Sequence, residues 1–307
     1  MFTTETFIHA GKTFLMLFGE LFALFIGISF IVALLQVYIS QERIKRILTT
    51  PRKTLNSVLG ALLGAVTPFC SCSTIPVLVG LFKSGAPFNG AVSFLLTSPI
   101  LNPAIITLMM AFFGLKATVI YTVFTFVFAV IMGLVFDRAG FEKEIKNVSV
   151  KGGHSDGVSW EKLQGNFWQK HWKAVKVSLN DAIGLLKGVV GFLLLGAGIG
   201  AFIYEFVPTE LLANFAGAEN LWAVPLASVI GIPMYIRTET MIPIASILIA
   251  KGVAPGVMIA LVLGGAGASI PEVSLLSSIF KKKMVIAFVI CIFAVATMTG
   301  YIFNITL

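Results

Sequence analysis

Charge is what this chain has least of. Only 12% of its 307 residues are Asp, Glu, Lys or Arg, against 57% hydrophobic, a balance that no soluble domain of this length keeps. Acids are the scarcer sign, 14 against 22 basic residues, which leaves a net charge of +8. Cysteine is scarce as well. Three cysteines, two of them one residue apart, build no disulfide framework. A bond between Cys70 and Cys72 would be strained by so short a connection. The three histidines, His9, His154 and His171, are scattered and suggest no histidine metal site. No Walker motif and no nucleotide-binding glycine-rich loop is present, so direct use of ATP is not expected.

What the chain has in abundance is long apolar sequence. Several runs reach about 20 residues, enough to cross a bilayer; Phe14–Tyr38 and Met284–Ile305 are the clearest. Phe14–Tyr38 is too long for a cleaved signal peptide, and its upstream flank is too poor in positive charge. The basic excess then reads as cytoplasmic loops rather than a nucleic-acid surface. It gathers at Arg43, Lys45, Arg46, Arg52 and Lys53, along 138–176, and at Lys281, Lys282 and Lys283. A multi-pass protein of the inner (plasma) membrane is expected, with the lipid bilayer as a partner and no nucleic acid.

A shift of 167 residues lays the second half on the first: Pro76 meets Pro243, and Gly85 meets Gly252. The loop 39–54 carries five basic residues, whereas its counterpart 206–220 carries only Glu210 and Glu219. Matched loops of opposite charge point to an inverted repeat. The expected fold is an all-α polytopic membrane protein of two inverted repeats. Each has two full helices, a re-entrant helical hairpin and a broken crossing helix. In the first these are 14–38 and 117–136, the hairpin 56–69 with 74–83, and 86–113 broken at 97–103. In the second they are 182–206 and 284–305, the hairpin 221–236 with 240–250, and 255–280 broken at 264–271. The organisation is thus 1–137 (first repeat), 138–180 (cytoplasmic linker with an amphipathic helix) and 181–307 (second repeat), with both termini outside. The amphipathic helix, Ser159–Leu179, alternates Trp160, Phe167, Trp168 and Trp172 with lysines. It suits the inner leaflet or packing against the bundle equally.

Four sets of residues could carry chemistry. Cys70 and Cys72 flank Ser71 between Pro68 and Pro76, with Ser73 and Thr74 adding hydroxyls. On a helix, positions i and i+2 diverge; in a broken segment they can converge. Two convergent thiols select soft species such as Cu(I), Zn(II) or trivalent arsenic; the bland alternative is a pair of small core residues. Ser98 and Asn102 lie in Ser98-Pro99-x-x-Asn102-Pro103, where the prolines free backbone carbonyls; this is a ligand site or a packed kink. Arg237 and Glu239 occupy the second tip, where charge at membrane depth points to function, unless the tip is interfacial. Glu272 follows Pro271 in the second break. We expect no cofactor and no enzymatic residues.

The run from Thr67 to Pro76, Gly85-Ala86-Pro87, Thr97 to Pro103, and Gly231 to Thr240 resemble the ArsP/YraQ-type permease family, and the resemblance spans nearly the whole chain. It implies efflux of a small-molecule or metalloid substrate. Trivalent organoarsenicals such as methylarsenite lead, since two exchangeable bonds suit two thiols. Proton antiport would draw on Glu239, Glu272 and Arg237. A copper or zinc exporter using the same thiols is the second expectation. A membrane thiol oxidoreductase cycling Cys70 and Cys72 is the third. A homodimer is compatible with all three.

Overall fold

Proline and glycine set where this chain bends, and apolar sequence sets how deep each helix lies. The computed structural model describes residues 4–38, 49–67, 71–146, 166–206, 222–233, 238–250 and 252–306. In chain order its helices are α1 (Thr4–Tyr38), α2 (Lys53–Val66), α3 (Ser71–Lys83), α4 (Phe88–Thr97) and α5 (Pro103–Arg138). After a 3-10 turn at Phe141–Glu144 come α6 (Phe167–Phe206), α7 (Ala223–Gly231), α8 (Thr238–Ala250), α9 (Pro255–Gly267), α10 (Ile270–Ile279) and α11 (Lys282–Thr306). Among the described residues there is no strand, only an isolated antiparallel bridge between Ile145 and Phe280.

Three stretches are long and apolar enough to cross a bilayer: Pro103–Arg138, Pro255–Ile279 and Lys282–Thr306. The first shows how sequence orients a helix in lipid. Leu115, Val119, Val123, Val127, Ile131 and Val135 recur every four residues and are exposed. The opposite face buries Ala117, Tyr121, Thr125, Ala129, Gly133 and Phe136. Helical period carries one face to lipid and the other, richer in small and polar residues, to protein. At Gly114 the backbone turns to φ 78, a conformation that side chains with a Cβ disfavour. The span is therefore two segments, one on each side of Gly114.

At the centre lie α4 and α9. Every residue of α4 is buried, as is every residue of α9 from Gly256 to Gly267; helices apolar all round belong in an interior. Glycines let their neighbours close in. A Cβ on Gly60 (α2) would sit 1.9 Å from the Gly90 carbonyl oxygen of α4. A Cβ on Gly256 (α9) would sit 1.9 Å from the Gly300 oxygen of α11. The 167-residue interval reappears here. Helix α3 runs 71–83 and α8 runs 238–250; Gly64 meets the Phe94 oxygen, and Gly231 meets the Leu261 oxygen.

Three features differ from the sequence expectation. Helix α3 begins at Ser71 rather than at 74, with Pro76 inside it. The main cost of Pro76 falls on the carbonyl four residues back, in the first turn, so the helix starts early. Helix α6 runs unbroken from Phe167 to Phe206, through the boundary drawn at 180. No proline or glycine stands between Phe167 and Ile183 to end it. Helix α1 begins at Thr4, ten residues before the expected start.

Lys53, Lys146 and Lys281 share one end of the bundle. Lys53 donates to Asp137 at 2.8 Å. The Lys146 N–H donates to the Ile279 oxygen, and the Lys281 N–H to the Glu144 oxygen, each at 2.8 Å. Lys116 instead donates to the Thr306 carbonyl at 2.8 Å, at the far end of α11, about 36 Å from Lys282. Cysteines introduced singly at Lys116 and Lys282, in a background free of native cysteine, should therefore react with an impermeant maleimide from opposite sides. Labelling of both from one side would overturn this placement.

Candidate functional site

Two helix interruptions meet in the core. The first follows α4: residues 98–102 turn, and α5 starts with Pro103, whose missing N–H is no loss in a first helical turn. Asn102 caps that helix, its Oδ1 accepting the Ile105 N–H at 2.9 Å. The Tyr121 hydroxyl donates to the Ile100 carbonyl and holds the turn from the side. The second interruption follows α9, at Ala268 and Ser269, with Pro271 in the first turn of α10. The two touch: a Cβ on Gly267 would lie 3.4 Å from Ile100 Cγ2.

The polar groups at this junction are sealed in. Ser98, Ser269 and Glu272 are at most 1% exposed, and Asn102 is buried. Among the described residues, neither the Ser98 hydroxyl, nor the Ser269 hydroxyl, nor either oxygen of Glu272 finds a hydrogen-bond partner. Buried polar groups without partners are rare, because each forfeits its hydration with no bond in return. Irregular backbone at membrane depth is tolerated where it is buried or lines a cavity. Both signs coincide here.

The thiol motif opens α3. Ser71, Cys72 and Ser73 form its first turn, while Cys70 lies outside the described residues. Pro76 has no N–H to give the Cys72 carbonyl, so a backbone acceptor is released beside the thiol motif. The second half repeats this. Thr238 and Glu239 open α8, and Pro243 cannot bond the Glu239 carbonyl. Arg237 lies outside the described residues. Helix α3 packs against α10, which carries Glu272; Phe82 meets Phe280 edge-on, with ring centroids 6.0 Å apart. Cys291 is buried in α11, among the apolar residues of the core. Among the described residues no three His, Cys, Asp or Glu side chains gather as a metal site.

Ser269 escaped the sequence reading although its signal was legible. Ser269-Ile270-Pro271-Glu272 is the S-x-x-E pattern of a capping box. Ser178, within the segment expected either on the inner leaflet or against the bundle, and Asp181, just beyond it, are both buried on α6; neither stood out among that segment's polar residues.

Helices that span a bilayer, interrupted at depth around sealed polar groups, define an integral membrane protein built as permeases are. The chain belongs to the ArsP_1 family of predicted permeases, whose model matches residues 7–305. It is 25% identical to the UPF0718 protein MJ0584 of Methanocaldococcus jannaschii, over 83% of each chain. It is 24% identical to a putative two-component membrane permease complex subunit of Streptococcus mutans, over 83% of this chain and 81% of that one. It is also 24% identical to the UPF0718 protein YraQ of Escherichia coli, over 82% of this chain and 68% of that one. No solved structure matches the chain.

Proposed function

We propose that this permease is a secondary-active exporter of a thiophilic substrate, foremost trivalent organoarsenicals such as methylarsenite, in exchange for protons across the inner membrane. The observation that carries the reading is the junction of the two interruptions, with its buried, unpartnered Ser98, Ser269 and Glu272. A permease needs polar groups at depth that a passing substrate can satisfy and then release.

Cys70 and Cys72 supply the soft ligand, with Ser71, Ser73, Ser98 and Asn102 around it. Two As–O bonds of methylarsenite exchange for two As–S bonds, and each thiol proton leaves with a hydroxyl as water. Release toward the outside is the reverse hydrolysis. Glu239 and Glu272 take up the exchanged protons, and Arg237 is the movable counter-charge at the second tip. The scaffold is two inverted repeats. Helices α2 and α3 are each about 20 Å long, short of the roughly 30 Å hydrocarbon core, which supports a re-entrant hairpin. The recurrence of helix starts at 167 residues supports the repeat.

The test is uptake into everted membrane vesicles, with and without an imposed pH gradient. Methylarsenite should accumulate only with the gradient, and the chain should move neither Cu(I) nor Zn(II). Metal uptake without methylarsenite uptake would turn the reading to a soft-metal exporter. Uptake of none would end it. Light scattering of the purified protein, alone and with co-expressed membrane proteins, separates a homodimer from a two-component assembly of the kind named for the Streptococcus mutans relative.

A further inference from the structure

Ser269 is the residue before α10, and Glu272 is third within it. In a closed capping box the serine hydroxyl accepts the N–H of the third residue, and the glutamate reaches back to the serine N–H. The residues for both bonds are present in this chain, yet neither bond is made. The Ser269 side chain makes no cap hydrogen bond, and both oxygens of Glu272, at 0% exposure, lack a partner among the described residues. The matching position in the first half behaves in the ordinary way: Asn102 caps α5 through the Ile105 N–H. An open box is therefore a property of the second break alone.

The geometry points to a proton site at Ser269 and Glu272, whose two states are the open and the closed capping box. This rests on the proton-exchange part of the proposed function and locates it. An ionised Glu272 finds a stabilising position at the Ser269 N–H, at the positive end of α10. Closing the box gives the charge that partner. A protonated Glu272 carries no charge to be stabilised, so the carboxyl can leave the box and face the junction. A buried carboxylate with neither cation nor donor is too costly to keep, so the open box is the protonated state.

The surroundings leave the site little competition. Helices α3, α6 and α11 pack against α10. Along these helices, between their basic ends, the titratable groups are Cys72 on α3, Asp181, the exposed Lys187, Tyr204 and Glu205 on α6, and Cys291 and Tyr301 on α11. Lys83 of α3 and the lysines at 281–283 stand at helix ends, and Lys170, His171, Lys173 and Lys176 lie in the exposed first turns of α6. None of them bonds either oxygen of Glu272. Because α10 packs on α3, the state of the box bears on the helix that opens with the thiol motif.

Hydrogen exchange on the full chain in lipid nanodiscs, followed by mass spectrometry across a pH series and corrected for intrinsic rates, reads the box without any substrate. Peptides covering 269–273 should be at least tenfold better protected at alkaline than at acidic pH. Glu272→Gln, which cannot ionise, should abolish that difference, and Ser269→Ala should reduce it. Peptides around Asn102 should not respond. An infrared carboxylic-acid band present in the wild type at acidic pH and missing in Glu272→Gln gives a second reading. A flat pH profile in the wild type, or an unchanged profile in Glu272→Gln, overturns the proposal. Failure of methylarsenite transport in the wild type overturns the substrate reading and leaves this measurement intact.

Discussion

Replacing Cys70 and Cys72 together by serine should lower methylarsenite uptake at least a hundredfold, and either single replacement should lose most of it. Two-point attachment is the reason. One thiol forms one As–S bond, and the second bond adds an intramolecular step at high effective concentration. Serine keeps the volume and the hydrogen bonding but is a hard ligand, a poor match for trivalent arsenic. Cys291→Ser is the control. That thiol is 2% exposed within the apolar core, and its loss should leave uptake within twofold. Full uptake by the double variant, with normal amounts in the membrane, would remove the thiol site from the mechanism.

A leucine at Gly60 or at Gly256 should leave no folded protein in the membrane. At both positions a Cβ alone would come within 1.9 Å of a backbone carbonyl oxygen, that of Gly90 or of Gly300. No rotamer relieves a clash with backbone. The helix pair must separate, which opens the packing around the buried α4 and α9. Overpacking of a core costs about 1–3 kcal/mol where side chains can yield; here they cannot, so alanine should already cost about 3 kcal/mol. Against a total stability of about 5–15 kcal/mol, the leucine variants should aggregate on solubilisation. The readout is the monodisperse fraction after detergent extraction, and its thermal midpoint for the alanine variants. A well-behaved Gly60→Leu protein would show that α2 and α4 are not in contact.

The interruptions were legible because their residues announce them. Ser98-Pro99 with Asn102-Pro103, and the glycine run before Ser269-Ile270-Pro271, cannot continue a helix without loss of backbone bonds. The start of α3 was not legible. Proline penalises the turn before it, so Pro76 marks the first turn of a helix as readily as the end of a break. The unbroken α6 was hidden by its surface. Exposed Phe167, Trp168 and Trp172 with intervening lysines read as a separate amphipathic element, but nothing in the chain stops the helix before it enters the apolar region. Ser269 and Glu272 show a third limit. The capping pattern is written in four letters, whereas the absence of its bonds appears only once burial and partners are known. Cys70 and Arg237 fall outside the described residues, so for them the sequence argument stands by itself.

The seam at residues 144–146 has a mechanical consequence. Ile145 is bridged to Phe280, and backbone bonds on both sides of it grip the end of α10 and the start of α11. Only a 3-10 turn separates this seam from the end of α5. The end of α5 and the end of α10 are thus joined through one short backbone seam. Two halves pivoting past each other as independent rigid bodies would have to tear that stitch on every cycle. Between α9 and α10, by contrast, Ala268 leaves helical geometry at φ −148 and ψ 40, so no continuous helix couples the two.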